Sequence, residues 1–136
     1  MNTKRNVLVV DDDDVVHMLT EKLLSTFRCI QTIYNAYNGR QALEILREGC
    51  TGLKTIPAIV LLDLHMPVMN GIDFLKEAKE LECLRNERIV TIMLSSTTDQ
   101  KDIDEASGLG VDYFFPKPIG IEKLESVFKR EFPAYW

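Results

Sequence analysis

The sequence predicts one α/β domain, a doubly wound parallel sheet of five strands with helices on both faces. Two observations carry that prediction. Five short β-branched or apolar runs alternate with five helical patterns, as βαβ units require. The middle run, Ile59 to Leu62, is apolar without interruption, which suits a strand covered on both faces. Right-handed crossovers then distribute the helices over the two faces.

In chain order, Val7 to Val10 reads as the first strand and runs into Asp11, Asp12, Asp13 and Asp14. Val16, Leu19, Leu23 and Phe27 follow at helical spacing, so a first helix is expected from about Asp13 or Asp14 to Phe27, with one of those acids as its cap. Ile30 to Tyr34 reads as the second strand. Ala42, Leu43, Ile45 and Leu46 mark a second helix, expected to close at Gly49 and to leave an irregular link from Cys50 to Pro57. The central strand ends at Asp63 because Pro67 cannot continue it, and Asn70-Gly71 opens a third helix along Ile72, Leu75, Ala78 and Leu81. Ile89 to Leu94 is the fourth strand, followed by Ser95, Ser96, Thr97 and Thr98. Ile103, Ala106 and Leu109 form a weak stripe, so the fourth helix is expected to be short, with Thr97 or Thr98 as its cap. Tyr113 to Phe115 is the fifth strand, halted by Pro116-Lys117-Pro118, and Ile121, Leu124, Val127 and Phe128 form the last helix. His17 is expected exposed or half-buried on the first helix, and Phe132, Tyr135 and Trp136 to fold back on the last.

Composition narrows the function. At 136 residues, with 46% apolar and 27% charged side chains, the chain is long enough for one real core. A net charge of −5 gives no electrostatic case for direct nucleic-acid binding. No apolar run approaches the roughly 20 residues of a membrane span, and the N-terminus lacks a signal-peptide apolar core, so no membrane insertion is expected. Cys29, Cys50 and Cys83 offer neither a disulfide framework nor a metal spacing and fit a reducing, cytoplasmic setting.

The chemistry gathers at strand ends. In an open α/β sheet, ligands bind outside the carboxyl ends of the strands. Those ends carry Asp11 and Asp12, Asp63, Ser95 and Ser96, and Lys117. Carboxylates about 5 Å apart repel by on the order of 3 kcal/mol per pair at an effective dielectric of 20. Such a cluster binds a cation, shares a proton or sits apart. An oxygen-only ligand set suits Mg2+ first, then Mn2+ or Ca2+. A carboxylate nucleophile, a hard cation, a lysine and a hydroxyl are the parts needed to transfer a phosphoryl group onto aspartate.

VLVVDDDD, IVLLDLHMPVMNG, IVTIMLSS and GVDYFFPKPI, in that order, resemble the receiver domain of two-component response regulators, close to the stand-alone kind. The match runs over roughly residues 6–130, a single receiver core with a tail at 131–136. The resemblance implies the flavodoxin-like strand order 2-1-3-4-5. It implies that Asp63 is the phosphoacceptor, that Asp12 ligates Mg2+ directly, that Asp11 holds it mainly through water, and that the His65 carbonyl adds a ligand. Lys117 would contact the phosphoryl group across a cis bond to Pro118. Ser95 would be the hydroxyl that moves toward the phosphate, with the Ser96 amide beside it, and Phe114 the switch aromatic on the fifth strand. Phe114 lacks a hydroxyl, so its switch would act by packing alone. The His65 side chain stands where attack by water is tuned, and Pro116 before Lys117 is a further departure that would stiffen the loop.

The function so implied is signalling rather than enzymatic. A sensor histidine kinase or histidine phosphotransfer protein supplies the phosphate, and the face of helix four, strand five and helix five signals to a downstream protein target or relay. Only self-catalysed transfer and autodephosphorylation are expected. The chain ends soon after the last helix, so any output domain would be a separate protein. Two other readings stand beside it. One is an aspartyl-phosphate phosphatase of the haloacid-dehalogenase kind, with Asp11 as nucleophile and Asp13 and Val15 fitting its first motif; it leaves Asp63 unexplained. The other is a degenerate receiver that acts as a constitutive interaction domain.

Overall fold

The computed structural model describes residues 5–96 and 99–133. The elements run β1 (Arg5–Val10), α1 (Asp14–Leu24), β2 (Ile30–Ala36), α2 (Gly39–Thr51), β3 (Ile59–Asp63), α3 (Gly71–Ala78), β4 (Val90–Ser95), α4 (Gln100–Gly108), β5 (Tyr113–Pro116) and α5 (Ile121–Glu131), with a 3₁₀ turn at Glu82–Leu84. The five strands form one sheet in the order β2-β1-β3-β4-β5, every pairing parallel. This is the flavodoxin-like arrangement the resemblance implies.

Alternation along each strand divides the core into two layers. Val7, Val9, Ile59, Leu61 and Ile92 point to the face covered by α1 and α5, where Leu24, Leu124 and Phe128 pack. Leu8, Val10, Val60, Leu62 and Met93 point to the opposite face, covered by α2, α3 and α4. All five residues of β3 are buried, as its unbroken apolar run requires.

Polar caps set where the helices begin. Asp13, Asn38, Asn70 and Asp99 each accept a backbone N–H of the first turn of α1, α2, α3 and α4. The cap of α4 is therefore Asp99; Thr97 and Thr98, the expected caps, lie outside the described residues.

Four expectations are corrected. The stripe of α1 that faces the core is His17, Thr20 and Leu24, one residue on from the apolar stripe at 16, 19 and 23, and Leu19 is 55% exposed. His17 is thus buried, because it has polar partners at the sheet edge and Leu19 has none to seek. Helix α2 runs through Gly49 and closes at Gly52, whose φ of 87° is left-handed backbone that glycine adopts without strain. Pro116 is the last residue of β5 rather than the stop after it, which an edge strand tolerates. Cys50 and Cys83, read as unpaired, form a disulfide with Cα atoms 5.7 Å apart. The spacing hid this because α2 overruns the expected link and brings Cys50 beside the 3₁₀ turn. Phe132 folds back as expected, its ring against Phe128, while Tyr135 and Trp136 lie outside the described residues. Among the described residues no helix is long and apolar enough to cross a membrane.

Candidate functional site

The carboxyl ends of β1, β3, β4 and β5 converge. Asp11 follows β1 directly, and its N–H donates to the Ala36 carbonyl at 3.1 Å, continuing the pairing with β2. Its carboxylate is used on both oxygens: Oδ1 accepts the Asp13 N–H at 2.9 Å, and Oδ2 accepts from Lys117 Nζ at 2.7 Å. Asp63 closes β3 in register with Leu94, and its Oδ1 lies 3.3 Å from the same ammonium. Lys117 follows β5; its N–H donates to the Ser95 carbonyl at 3.1 Å, and its bond to Pro118 is cis, as the resemblance implied. Ser95, the last residue of β4, is buried, and Ser96 after it is exposed.

The loop after Asp63 is tightly drawn. The Gly71 N–H donates to the Leu64 carbonyl at 3.0 Å, and a Cβ on Gly71 would stand 2.7 Å from the Asp63 carbonyl oxygen. Glycine at 71 is therefore what lets α3 start directly behind Asp63. His65 projects from this loop, exposed. Phe114, in register with Met93, packs half-buried against the layer under α4.

Electrostatics single out Asp63. Burial raises its carboxyl pKa above the usual 3.8, the Asp11 charge adds to that, and Lys117 and the His65 N–H oppose it without cancelling it. For Lys117, burial disfavours the ammonium, but the hydrogen bond to Asp11 and the charges of Asp63 and Asp11 outweigh it, and the pKa rises above 10.5. Asp11, Asp12 and Asp63 each offer one oxygen, all within 4.8 Å of one another. Asp12 is exposed while the other two are buried, so the group opens to solvent on one side. Three hard oxygen donors around an open position fit a cation such as Mg2+, which retains part of its water shell.

Asp11, Asp12, Asp63 and Lys117 are thus brought together, and Ser95 is joined to Lys117 through the backbone. His65 and Phe114 take the loop and strand positions the sequence indicates, His65 exposed and Phe114 half-buried against the core layer under α4. Sequence reasoning missed His17, whose Nε2 lies 2.7 Å from the Asp11 carbonyl oxygen. The signal was available, since residues 17, 20 and 24 share one helical stripe, but apolar counting favours its neighbour.

The response regulator receiver domain model matches residues 7–129. Sporulation initiation phosphotransferase F of Bacillus subtilis is 32% identical over 133 residues, which cover 98% of this chain and 96% of that one. A protein-glutamate methylesterase/protein-glutamine glutaminase of Treponema denticola is 35% identical over 118 residues, covering 85% of this chain; the chain spans only 29% of that protein's length. Among solved structures, a two-component response regulator from Cytophaga hutchinsonii superposes with a TM-score of 0.81 at 27% identity, over 93% of this chain and 96% of that one. With the strand order, the acid cluster and a family match over nearly the whole chain, the protein belongs to the response regulator receiver domain family.

Proposed function

We propose that the chain is a phosphoacceptor switch that takes a phosphoryl group from a phosphohistidine partner onto Asp63. The observation that carries this reading is a single lysine ammonium within 3.3 Å of two buried carboxylates from different strands, at the open end of the sheet. A carboxylate with raised pKa, held against a lysine and open toward a third acid, is placed to attack phosphorus.

In the transfer, an Asp63 carboxylate oxygen forms the new P–O bond. The P–N bond to the partner imidazole breaks, and that imidazole leaves with its electron pair and takes up a proton. Lys117 offsets charge on the phosphoryl oxygens, and Ser95 supplies a hydroxyl at the end of β4. Asp11, Asp12, Asp63 and the His65 carbonyl are the groups that would hold Mg2+, with Mn2+ or Ca2+ as substitutes. When bound, the ion screens the carboxylates and the incoming phosphoryl charge from one another. The phosphorylated form would draw Ser95 inward and let Phe114 turn, remodelling the face of α4, β5 and α5 for a downstream protein target or relay. His65 would set how readily water reaches the phosphate.

The partner is a sensor histidine kinase or histidine phosphotransfer protein. An apolar groove lined by Val16, Leu19, Leu23, Pro118 and Ile119 opens beside Lys117 and supports docking of such a partner there. Incubation with acetyl phosphate and Mg2+, followed by intact mass and peptide mapping, tests the reading. A single phosphoryl group on Asp63, absent from Asp63→Asn, is expected; label on Asp11 instead would favour aspartyl-phosphate phosphatase chemistry.

A further inference from the structure

We propose that His17 is a positioning residue for the cation pocket, holding the backbone turn from which Asp11 and Asp12 present their carboxylates. The inference rests on reading Asp11, Asp12 and Asp63 as the Mg2+ site.

His17 is only 4% exposed, and a buried imidazole needs partners for both nitrogens. Nε2 lies 2.7 Å from the Asp11 carbonyl oxygen. A carbonyl only accepts, so Nε2 carries the hydrogen of that bond. Nδ1 lies 2.6 Å from Oδ1 of Asn35, near the end of β2, where the amide can present its oxygen or its nitrogen to the ring. The Tyr37 ring packs against the imidazole with centroids 4.3 Å apart. One side chain on α1 therefore ties together the ends of β1 and β2.

What it grips matters. The Asp11 carbonyl belongs to the planar peptide that links Asp11 to Asp12, so its direction governs where the Asp12 backbone goes. The Asp11 N–H is already committed to Ala36. With His17 on the other side, the residue is clamped at both backbone polar groups. Asp12 is exposed and receives less packing restraint than buried Asp11 and Asp63, so the held peptide is a main determinant of its aim. Partners that orient ligating groups commonly alter metal affinity about 10–100-fold when removed.

The test titrates Mg2+ by calorimetry into the full chain, its His17→Leu, His17→Gln and Asn35→Ala variants, each checked for folding by circular dichroism. His17→Leu is expected to weaken Mg2+ binding about 10–100-fold. His17→Gln, whose amide nitrogen stands as many bonds from Cα as Nε2 does, is expected to recover most of that loss. Asn35→Ala, at an exposed position, is expected to weaken binding by a smaller factor in the same direction. A folded His17→Leu that binds Mg2+ like the parent overturns the positioning role and leaves the pocket reading intact, since a purely structural histidine would lower stability alone. If His17→Leu does not fold, parental affinity in Asn35→Ala overturns the role. A parent that takes up no Mg2+ overturns the pocket reading, and this inference with it.

Discussion

Nζ of Lys117 lies 2.7 Å from Oδ2 of Asp11, nearer than the 3.3 Å to Oδ1 of Asp63. The lysine thus sits as counter-ion to the acid at the end of β1 while remaining in reach of the proposed phosphoacceptor on β3. Its removal leaves two buried carboxylates facing each other. Lys117→Met is expected to lose about 2–3 kcal/mol in metal-free buffer at neutral pH, less than a fully buried pair would because the lysine side chain is 22% exposed. Urea unfolding measures the loss, and excess Mg2+ should offset part of it. An unchanged unfolding midpoint without metal would show that Lys117 does not neutralise the pair.

The raised pKa of Asp63 gives a pH dependence with a definite sign. In the folded chain this carboxyl keeps its proton to higher pH than in the unfolded chain, where it loses it near 3.8. As pH rises from about 3.8 through the raised folded value, the folded state therefore binds more protons and stability falls. Asp63→Asn cannot ionise, so it should be more stable than the parent at neutral pH without metal, and the gain should disappear below about 3.8. A stability difference independent of pH between 3 and 7, measured as roughly constant in urea titrations, would contradict this.

Mg2+ should separate the same two proteins the other way. Binding to the folded state alone stabilises by about 2.7 kcal/mol at a hundredfold excess over Kd. The parent should gain in melting temperature as Mg2+ is added, and Asp63→Asn, which puts a neutral amide in place of one of the three carboxylates whose oxygens lie within 4.8 Å, should gain far less. Equal responses would place the ion elsewhere.

Val68 holds a φ of 68° in the loop between Asp63 and α3, and its side chain is 74% exposed. A β-branched residue in left-handed backbone costs about 1–2 kcal/mol, with no burial here to repay it. Val68→Gly should therefore stabilise the fold by about 0.5–1 kcal/mol once the extra freedom of glycine in the unfolded chain is subtracted. Thermal unfolding reads the change, and a destabilised variant would mean the loop does not carry the strain.

The Cys50–Cys83 bond closes a segment of sequence separation 33 that contains β3 and α3. Constraining that loop in the unfolded chain is worth about 3–4 kcal/mol on the chain-entropy account. Cys83 is exposed, so a thiol reductant should reach the bond and lower stability by up to that amount, while Cys50→Ser should start lower and ignore the reductant. Reductant-insensitive melting of the parent, with free thiols before treatment, would show that the bond does not form.

The order of elements, the buried central strand and the placing of Asp11, Asp12, Asp63 and Lys117 at strand ends were legible from the residues alone. Hydrophobic period and turn residues are local, and β3 with its unbroken Ile59–Leu62 run or α3 with Asn70 before it needs little more. Boundaries were less legible where a helix continued past a glycine, as α2 does through Gly49, because propensity is weaker than the packing of the next turn.

Three features depended on the folded arrangement. Which stripe of α1 faces inward was decided by polar partners for His17, the Asp11 carbonyl just after β1 and the Asn35 amide on β2, and not by apolar count. The joining of Cys50 to Cys83 was decided by how far α2 runs. The sharing of Lys117 between two acids was decided by the packing of four strand ends. A single chain carries its own periodicity and turn chemistry, and so determines which residues stand at the sheet edge. The distances that set charge and hydrogen bonding across that edge arise only when separate strands are brought into register.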